Sequence, residues 1–551
     1  MLVSALRQDL LFIRACWSAL SSTIWSFKVF TLSLEEIETL NGHGLSCSIV
    51  CLTTGCPNHC SCSNVATLSD PVTYKAVQYS LQYGVLPIHV TSTYCRRCLH
   101  RYHHNYVVHK VDDARVYYRG VPEVIQVATH FFIDSQVLEM FATAKVFGWL
   151  SSLNCARIYN QSIGDPYSWV QDKSTVLLYP LAWPSQAPTH DWPFTLKMRD
   201  VDVLNGFFIY LLLIDKSEHC NQLLMEGIGQ EAYPHVCDRC YTVDGEEENR
   251  RKIQVAVCDR ITIGHPCCAV WDCKIPLDNL RKRYCLDHEG QALICAIKGC
   301  THGCESGFRT CNLKEHRVKE ESYLQPSKAL FQLHDCLKQA GITVPPDSMG
   351  VGISSDENTI PNDKTQFGPR WTHNEQFIMR PCGVILARAT FYGSEAVSSV
   401  NDFAKAVFPT PDSTPEYFVF DNNCKLHAHQ EVIQDQHFAH TGMPVDVFHF
   451  KSKHKETNNY CQQHCNPASF PELIQDGKWR FNTSICEQTN VWLGGYQAIL
   501  HDMSVHQYNF YLDEMVKQRN CFIIQQLDKE GRKPEMVPRH VLFPTTGTSL
   551  T

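Results

Sequence analysis

Three carboxylates in this sequence stand where a carboxylate needs a task. Asp259 is the first. Taken in steps of two, Ile253, Val255, Val257, Asp259, Ile261 and Ile263 are apolar except for the one acid. Alternate residues of a strand share a face, so Asp259 falls in the apolar phase. An unpaired charge there is penalised, and a bulge, an early strand end or a bound cation would relieve it. Asp421, the second, ends the apolar run Tyr417-Phe-Val-Phe. Glu487, the third, opens a helical stretch in Ser484-Ile-Cys-Glu487. That pattern is also a capping box, in which Glu487 would reach back to its own helix N-terminus. The three acids have a common chemical use. Two divalent metals about 3.5–4 Å apart clamp the attacking and leaving oxygens of a phosphodiester, and Mg²⁺ or Mn²⁺ prefers hard oxygen ligands.

A second chemistry lies in 28 Cys and 27 His. Cys268-x4-Cys273-x11-Cys285-x2-His288 is followed, six residues on, by Cys295-x4-Cys300-x10-Cys311-x4-His316. Two consecutive C-C-C-H units of nearly equal spacing each supply the four ligands of a tetrahedral structural zinc. Free buried cysteine does not account for a repeated order. Cys267 and Cys304 are spare and could swap in as ligands. Upstream, Cys56-x3-Cys60-x-Cys62 and Cys95-x2-Cys98 are pairs separated by a hairpin-sized stretch and read as a zinc ribbon, Cys60 and Cys62 competing for one position. Arg96, Arg97 and Arg101 follow among His and Tyr residues; they suit a DNA backbone or a solvated face. Cys237-x2-Cys240 has no evident partner pair. His449-x4-His454 and Cys461-x2-His464-Cys465 supply ligands for a further zinc site.

The elements that must position these groups follow from the pattern. Residues 1–44 are a helical lead-in, 45–115 the ribbon-like cluster, 116–234 a mainly helical region and 235–265 the first core strand. The double zinc module occupies 266–320, a helix and linker 321–372, the rest of the core 373–525 and a loose tail 526–551. Phe377-Ile-Met-Arg, Pro381-Cys-Gly and Val384 to Tyr392 read as strand, turn and strand. Val397, Val400, Phe403, Ala404 and Val407 share one helical face, with Ser394 as a candidate N-cap. The order strand, strand, strand, helix, strand opens a ribonuclease-H-like α/β fold. Such a fold carries one Asp on its first strand and another at the end of its fourth, where Asp259 and Asp421 fall. Gly494-Gly495 then interrupts the helix of Glu487, and a second packed helix runs through Tyr508, Tyr511, Leu512 and Met515.

Composition bounds the rest. The 551 residues allow about three to five domains. With 44% hydrophobic and 19% charged residues most of the chain can bury a core. A net charge of −8 restricts DNA contact to local patches. Arg7, Asp9 and Arg14 interrupt the apolar stretch Leu10 to Ile13, arguing against a signal peptide, and the run Phe207 to Ile214 is too short to span a bilayer. So many cysteines in a long chain suggest a reducing compartment, with zinc rather than disulfides.

Several strings resemble the KDZ (Kyakuja–Dileera–Zisupton) transposases of fungi and their CxC-type cysteine clusters. They are Cys95-Arg-Arg-Cys-Leu-His-Arg-Tyr-His-His-Asn-Tyr, Arg251-Lys-Ile-Gln-Val-Ala-Val-Cys-Asp, Ile263-Gly-His-Pro-Cys-Cys-Ala-Val, Phe420-Asp-Asn-Asn-Cys, Val447-Phe-His-Phe-Lys-Ser-Lys-His-Lys-Glu-Thr and Glu487-Gln-Thr-Asn-Val-Trp-Leu-Gly-Gly-Tyr. The resemblance runs from about residue 45 to 520. It implies a cut-and-paste DNA transposase with Asp259, Asp421 and Glu487 as a DDE triad, DNA as partner, self-association, a nuclear location and no membrane. Many DDE families carry a Cys-x2-His motif after the second Asp, which Cys461 and His464 match. Arg260 departs from the Gly expected after the first Asp. A guanidinium there could pair with Asp259 or repel the ions. The alternative reading is a non-catalytic, zinc-stabilised DNA-binding protein derived from a transposase. A ubiquitin-ligase-type module, also built on paired Cys/His units, needs no such carboxylate-bearing core.

Overall fold

The computed structural model describes residues 47–50, 69–96, 99–108, 115–118, 120–163, 192–218, 235–244, 251–324, 367, 370–454 and 457–536. The chain is mixed α/β and divides into two compact units, Met1–Met225 and Glu226–Thr551. The expected lead-in at 1–44 lies outside the described residues.

In the first unit, β1 (Cys47–Val50), β2 (Ser69–Ser80), β3 (Gly84–Cys95), β4 (His100–Tyr102), β5 (Tyr106–Val108), β6 (Arg115–Tyr117), β7 (Val124–Ala128) and β8 (Phe131–Asp134) form one sheet. Its order is β6-β5-β4-β3-β2-β8-β7, and β1 lies parallel to β3. Ala76, Leu86, Ile88, Val90 and Phe132 pack one core. Helices α1 (Ser135–Gly148), α2 (Ser152–Ser162) and α3 (Asp200–Glu218) follow. The buried apolar residues of α1, Val137, Leu138, Phe141, Ala142 and Val146, recur three and four apart. A Cβ on Gly206 would stand 2.8 Å from Leu138 Cδ2 and 2.9 Å from Val127 Cγ1, so glycine lets α3 close on α1 and β7. Strands occupy 115–117, 124–128 and 131–134, within the region expected to be mainly helical. Runs as short as Val124-Ile-Gln-Val and Phe131-Phe-Ile carry too little periodicity to tell strand from helix.

The centre of the second unit is a long strand. After β9 (His235–Val236), β10 (Tyr241–Asp244) pairs antiparallel with the start of β11 (Arg251–Ile261). The chain leaves β11 for the cysteine module, framed by β12 (Pro266–Cys267) and β13 (Arg370–Trp371), with α4 (Lys314–Leu324) at its end. It returns as β14 (Asn374–Met379), antiparallel to β11 and to β15 (Ile385–Phe391). β16 (Tyr417–Phe420) then lies parallel along the other edge of β11. The order is β15-β14-β11-β16. Beyond β16, Phe418 and Phe420 donate their N–H groups to the carbonyls of Gly442 and Pro444 at 2.9 and 3.4 Å, so a parallel segment extends the sheet once more.

Both faces of β11 are buried. Ala256 and Cys258 join Ile378, Phe418 and Phe420 under Val400 and Ala404 of α5 (Val397–Val407) and Leu426 of α6 (Asn423–Val432). Helix α5 thus buries the face its apolar spacing predicts, starting after Ala396 rather than at Ser394. After α7 (Val447–Lys453) and α8 (Asn459–His464), the opposite face takes α9 (Ile485–Gly494) and the 25-residue α10 (Val505–Lys529). A buried ionic network fixes α10. Arg388, itself fully buried, donates to Glu375 Oε2 at 3.3 Å and to Asp513 Oδ1 at 2.6 Å. Tyr508 donates to Glu375 Oε1 at 2.9 Å. Among the described residues no helix is long and apolar enough to cross a membrane.

Candidate metal centres

The two C-C-C-H units come together as their spacing predicts. In the first, Cys273 Sγ lies 3.8 Å from Cys285 Sγ and 3.5 Å from His288 Nδ1, and His288 Nδ1 lies 3.6 Å from Cys268 Sγ. In the second, Cys300 and Cys311 sulfurs are 3.9 Å apart, and His316 Nδ1 is 3.4 Å from Cys295 and 3.2 Å from Cys311. Tetrahedral bonds of about 2.3 Å to sulfur and 2.0–2.1 Å to nitrogen separate neighbouring ligands by roughly 3.5–3.8 Å. Both quartets are compatible with structural zinc. The spare cysteines stay spare: Cys267 sits in β12, and Cys304 donates to the carbonyls of Ala292 and Arg309 at 3.6 and 3.2 Å.

Two further groups draw on residues the spacing did not join. Cys237 and Cys240 meet His235 and Cys382, all four ligand atoms lying within 4.8 Å of one another. Cys382 belongs to the turn between β14 and β15, so no local spacing announces it. The pair Cys461 and His464 is divided. Cys461 faces His454 Nδ1 at 3.2 Å, with Cys424 at 3.9 Å from the same nitrogen. His464 groups instead with His427 and Glu431. One six-residue helix presents the two side chains to different neighbours, so they do not share one ion here. Cys56, Cys60, Cys62 and Cys98 lie outside the described residues; of that expected ribbon only Cys95, buried at the end of β3, is described.

Strand register brings Asp259 and Asp421 together, and Glu487 lies near enough for its charge to act on Asp259. Among the described residues, however, the three acids do not form a group whose ligand atoms all lie within 4.8 Å of one another. Cys258 pairs with Phe420 across the parallel strands β11 and β16. The next residues are Asp259, still on β11, and Asp421, just past the end of β16, both buried. Helix α9 crosses the end of β11, and Asn490 donates to Asp259 Oδ2 at 2.8 Å and to the Arg260 carbonyl at 3.0 Å. Glu487, one turn earlier, faces His449 Nε2 at 3.0 Å. It makes no cap at its helix, and Ser484 turns to Asp446 Oδ1 at 3.4 Å, so the capping-box alternative is not what forms. Burial pushes the Asp259 carboxyl up to about 7, against the Arg260 backbone hydrogen bond, and the charges of Asp421 and Glu487 push the same way. His454 Nε2 hydrogen-bonds the Asp421 carbonyl at 2.9 Å while its Nδ1 faces the cysteines. Helical spacing could have found Asn490, three residues after Glu487; nothing local points to His449.

Residues 46–163 match the family of CxC5-like cysteine clusters associated with KDZ transposases. Residues 257–323, which hold Asp259 and both C-C-C-H units, match the CxC6-like cysteine clusters associated with the same transposases. Comparison with curated proteins and with solved structures gave no match. Two cluster types that accompany one transposase family thus occur in one chain, which supports a relation to the KDZ transposases.

Proposed function

We propose that the protein is a DDE-type DNA transposase, or a descendant of one, whose second unit is a ribonuclease-H-like core with the 266–320 zinc module inserted after its first strand. One observation carries the reading: Asp259 and Asp421 follow directly on Cys258 and Phe420, which are paired across parallel strands. The order β15-β14-β11-β16, with β16 parallel to β11, is the one such a core uses to set its first strand against the end of its fourth.

The residues fit the metals this chemistry calls for. Asp259, Asp421 and Glu487 offer only hard carboxylate oxygens, and Asp259 is buried within the field of the other two. Such a set suits Mg²⁺ or Mn²⁺ rather than a thiolate-seeking ion. Bound there, two divalent ions supply charge stabilisation to the attacking and leaving oxygens of a phosphodiester. The chain itself orients the donors. Asn490 fixes one oxygen of Asp259, and His449 holds Glu487 toward the cluster. The substrate is DNA at an element end, and the freed 3′-hydroxyl then attacks target DNA. The zinc modules recognise DNA or shape a self-associated assembly, and the protein works in the nucleus.

A nicking assay on the full chain tests the reading. Mg²⁺- or Mn²⁺-dependent nicking is expected in the wild type and absent in Asp421→Asn, with melting temperature and zinc content unchanged. Asn keeps the shape of Asp and removes the charge that holds the ion. DNA binding without nicking under any Mg²⁺ or Mn²⁺ condition would replace the enzyme with a zinc-stabilised DNA-binding descendant.

A further inference from the structure

The knuckle at Cys237 lies outside both cysteine clusters that the transposase families define. Cys237 and Cys240 bracket a tight turn, in which Cys240 and Tyr241 both donate their N–H groups to the Cys237 carbonyl at 3.0 Å. The two sulfurs stand 3.6 Å apart. That is far beyond a disulfide bond of about 2.05 Å and close to the roughly 3.8 Å between two thiolates on one tetrahedral zinc. Cys382 arrives from the turn between β14 and β15, more than a hundred residues downstream. His235 completes the set, and all four donor atoms lie within 4.8 Å of one another.

Two observations ask for an ion at this place. His235 is 1% exposed, and neither ring nitrogen has a hydrogen-bond partner. Buried imidazole nitrogens without partners are costly, and a metal would satisfy one of them. The second is Arg380, also buried, two residues before Cys382. Its guanidinium donates to the His235 carbonyl at 3.2 Å and the Val255 carbonyl at 3.1 Å, and among the described residues it has no carboxylate within salt-bridge distance. Three thiolates and a neutral imidazole on Zn²⁺ carry one net negative charge, which a neighbouring guanidinium balances.

We propose that His235, Cys237, Cys240 and Cys382 hold a structural zinc ion that staples the far end of the central sheet. This set of four donors is soft and closed, as a structural rather than catalytic site requires. Its surroundings explain what it fastens. Val255 N–H donates to the Cys240 carbonyl at 3.3 Å, which ties the knuckle to β11 four residues before Asp259. Val384 packs on the cluster from just before β15, and Leu527 and Ile523 from α10. Asp238 N–H donates to the Arg532 carbonyl at 3.0 Å, and β9 pairs with Glu535–Met536. One ion would thus join the entry to β11, the β14–β15 turn and the end of α10. It lies at the opposite end of β11 from the carboxylates and stands whether or not they are catalytic.

The test counts zinc in the full chain. Cys382→Ser should lose one zinc per chain relative to wild type, and Cys382→His, which keeps a ligand, should retain it. A folded Cys382→Ser protein with the wild-type zinc count overturns the site. If Cys382→Ser does not fold, wild-type labelling decides. During stepwise chelation, Cys237, Cys240 and Cys382 should become alkylated together, in step with the departure of one zinc. Alkylation of all three before any zinc leaves, or continued protection after the last has gone, rejects the proposal.

Discussion

Arg260 directs its guanidinium to Glu395, not to Asp259 beside it in sequence. Successive strand residues point to opposite faces. Asp259 therefore turns to α9, and Arg260 to the face where its strand partner Gln376 also reaches Glu395, at 3.2 Å. Arg260, which stands where the resemblance implies Gly, is thus a cation whose charge is answered on the other side of the sheet. We expect Arg260→Gly to leave metal-dependent nicking within about threefold of wild type, less than 1 kcal/mol of barrier. A tenfold gain in nicking would mean that the guanidinium suppresses the carboxylate site after all.

The Glu375–Arg388–Asp513 network makes a stability prediction. Removing one partner of a buried ion pair strands the others. Arg388→Leu should cost about 3–5 kcal/mol in urea unfolding, because Glu375 is left fully buried without its cation. Replacing the pair together, as Glu375→Leu with Arg388→Leu, should recover much of that loss. A single variant within 1 kcal/mol of wild type would show that the network contributes little.

The strand order from β11 to β16 was legible in the sequence because each element carries its own period and its own turn. The placing of Asp259 within β11 and of Asp421 just after β16 was legible for a related reason: each acid breaks an apolar run. The C-C-C-H quartets were legible because their ligands are close in sequence and repeated. What escaped was contact between distant segments. Cys382 reads as part of a Pro-Cys-Gly turn, and only the closing of β14 on β11 carries it to Cys237. Cys424 likewise joins His454 and Cys461 only through the packing of α6 and α8. Strands β7 and β8 escaped because they are too short for periodicity to declare them.

His265 supplies a pH prediction. Burial pushes its imidazole down to about 4, the Pro266 carbonyl resists, and Arg388 adds to the lowering. The folded state therefore keeps a neutral ring while the unfolded chain takes up a proton near pH 6.5. The stability from this group is complete above pH 6.5 and is lost as pH falls toward 4. That loss is on the order of 3 kcal/mol at the limit. His265→Asn, which keeps a donor for the Pro266 carbonyl, should flatten the decline between pH 6.5 and 5. Equal slopes for the two proteins would assign the acid sensitivity elsewhere.

Zinc removal should act locally before it acts globally. The 266–324 segment has few buried apolar residues of its own, grouped around the two quartets. A small module of this kind takes its folding energy from the metal. Chelation should make it the first region cleaved in limited proteolysis, and Cys285→Ser should lose one zinc per chain while leaving the Cys295 quartet filled. Resistance of this segment in zinc-free protein would show that packing alone sustains it.

His449 links the carboxylates to the helix beneath them. Asp446 caps α7 by accepting from Phe448 and His449 N–H at 3.1 and 3.3 Å. Its other oxygen receives Ser484, the residue that opens α9. His449 Nδ1 lies 3.4 Å from Asp446, and Nε2 lies 3.0 Å from Glu487 Oε1. Two helices are thus tied beside Glu487, whose side chain is 43% exposed. On the proposed reading His449 is a positioning residue, acting on a metal only through the acid it holds. Loss of such an outer partner typically lowers metal affinity about 10–100-fold. His449→Ala should therefore weaken Mn²⁺ binding, followed by the loss of the free-ion paramagnetic signal on titration, while the melting temperature of the metal-free protein shifts little. His449→Gln, whose amide can still donate to Glu487, should recover part of the affinity. An Mn²⁺ affinity unchanged in His449→Ala would remove Glu487 from the metal site and leave Asp259 and Asp421 to hold the ion alone.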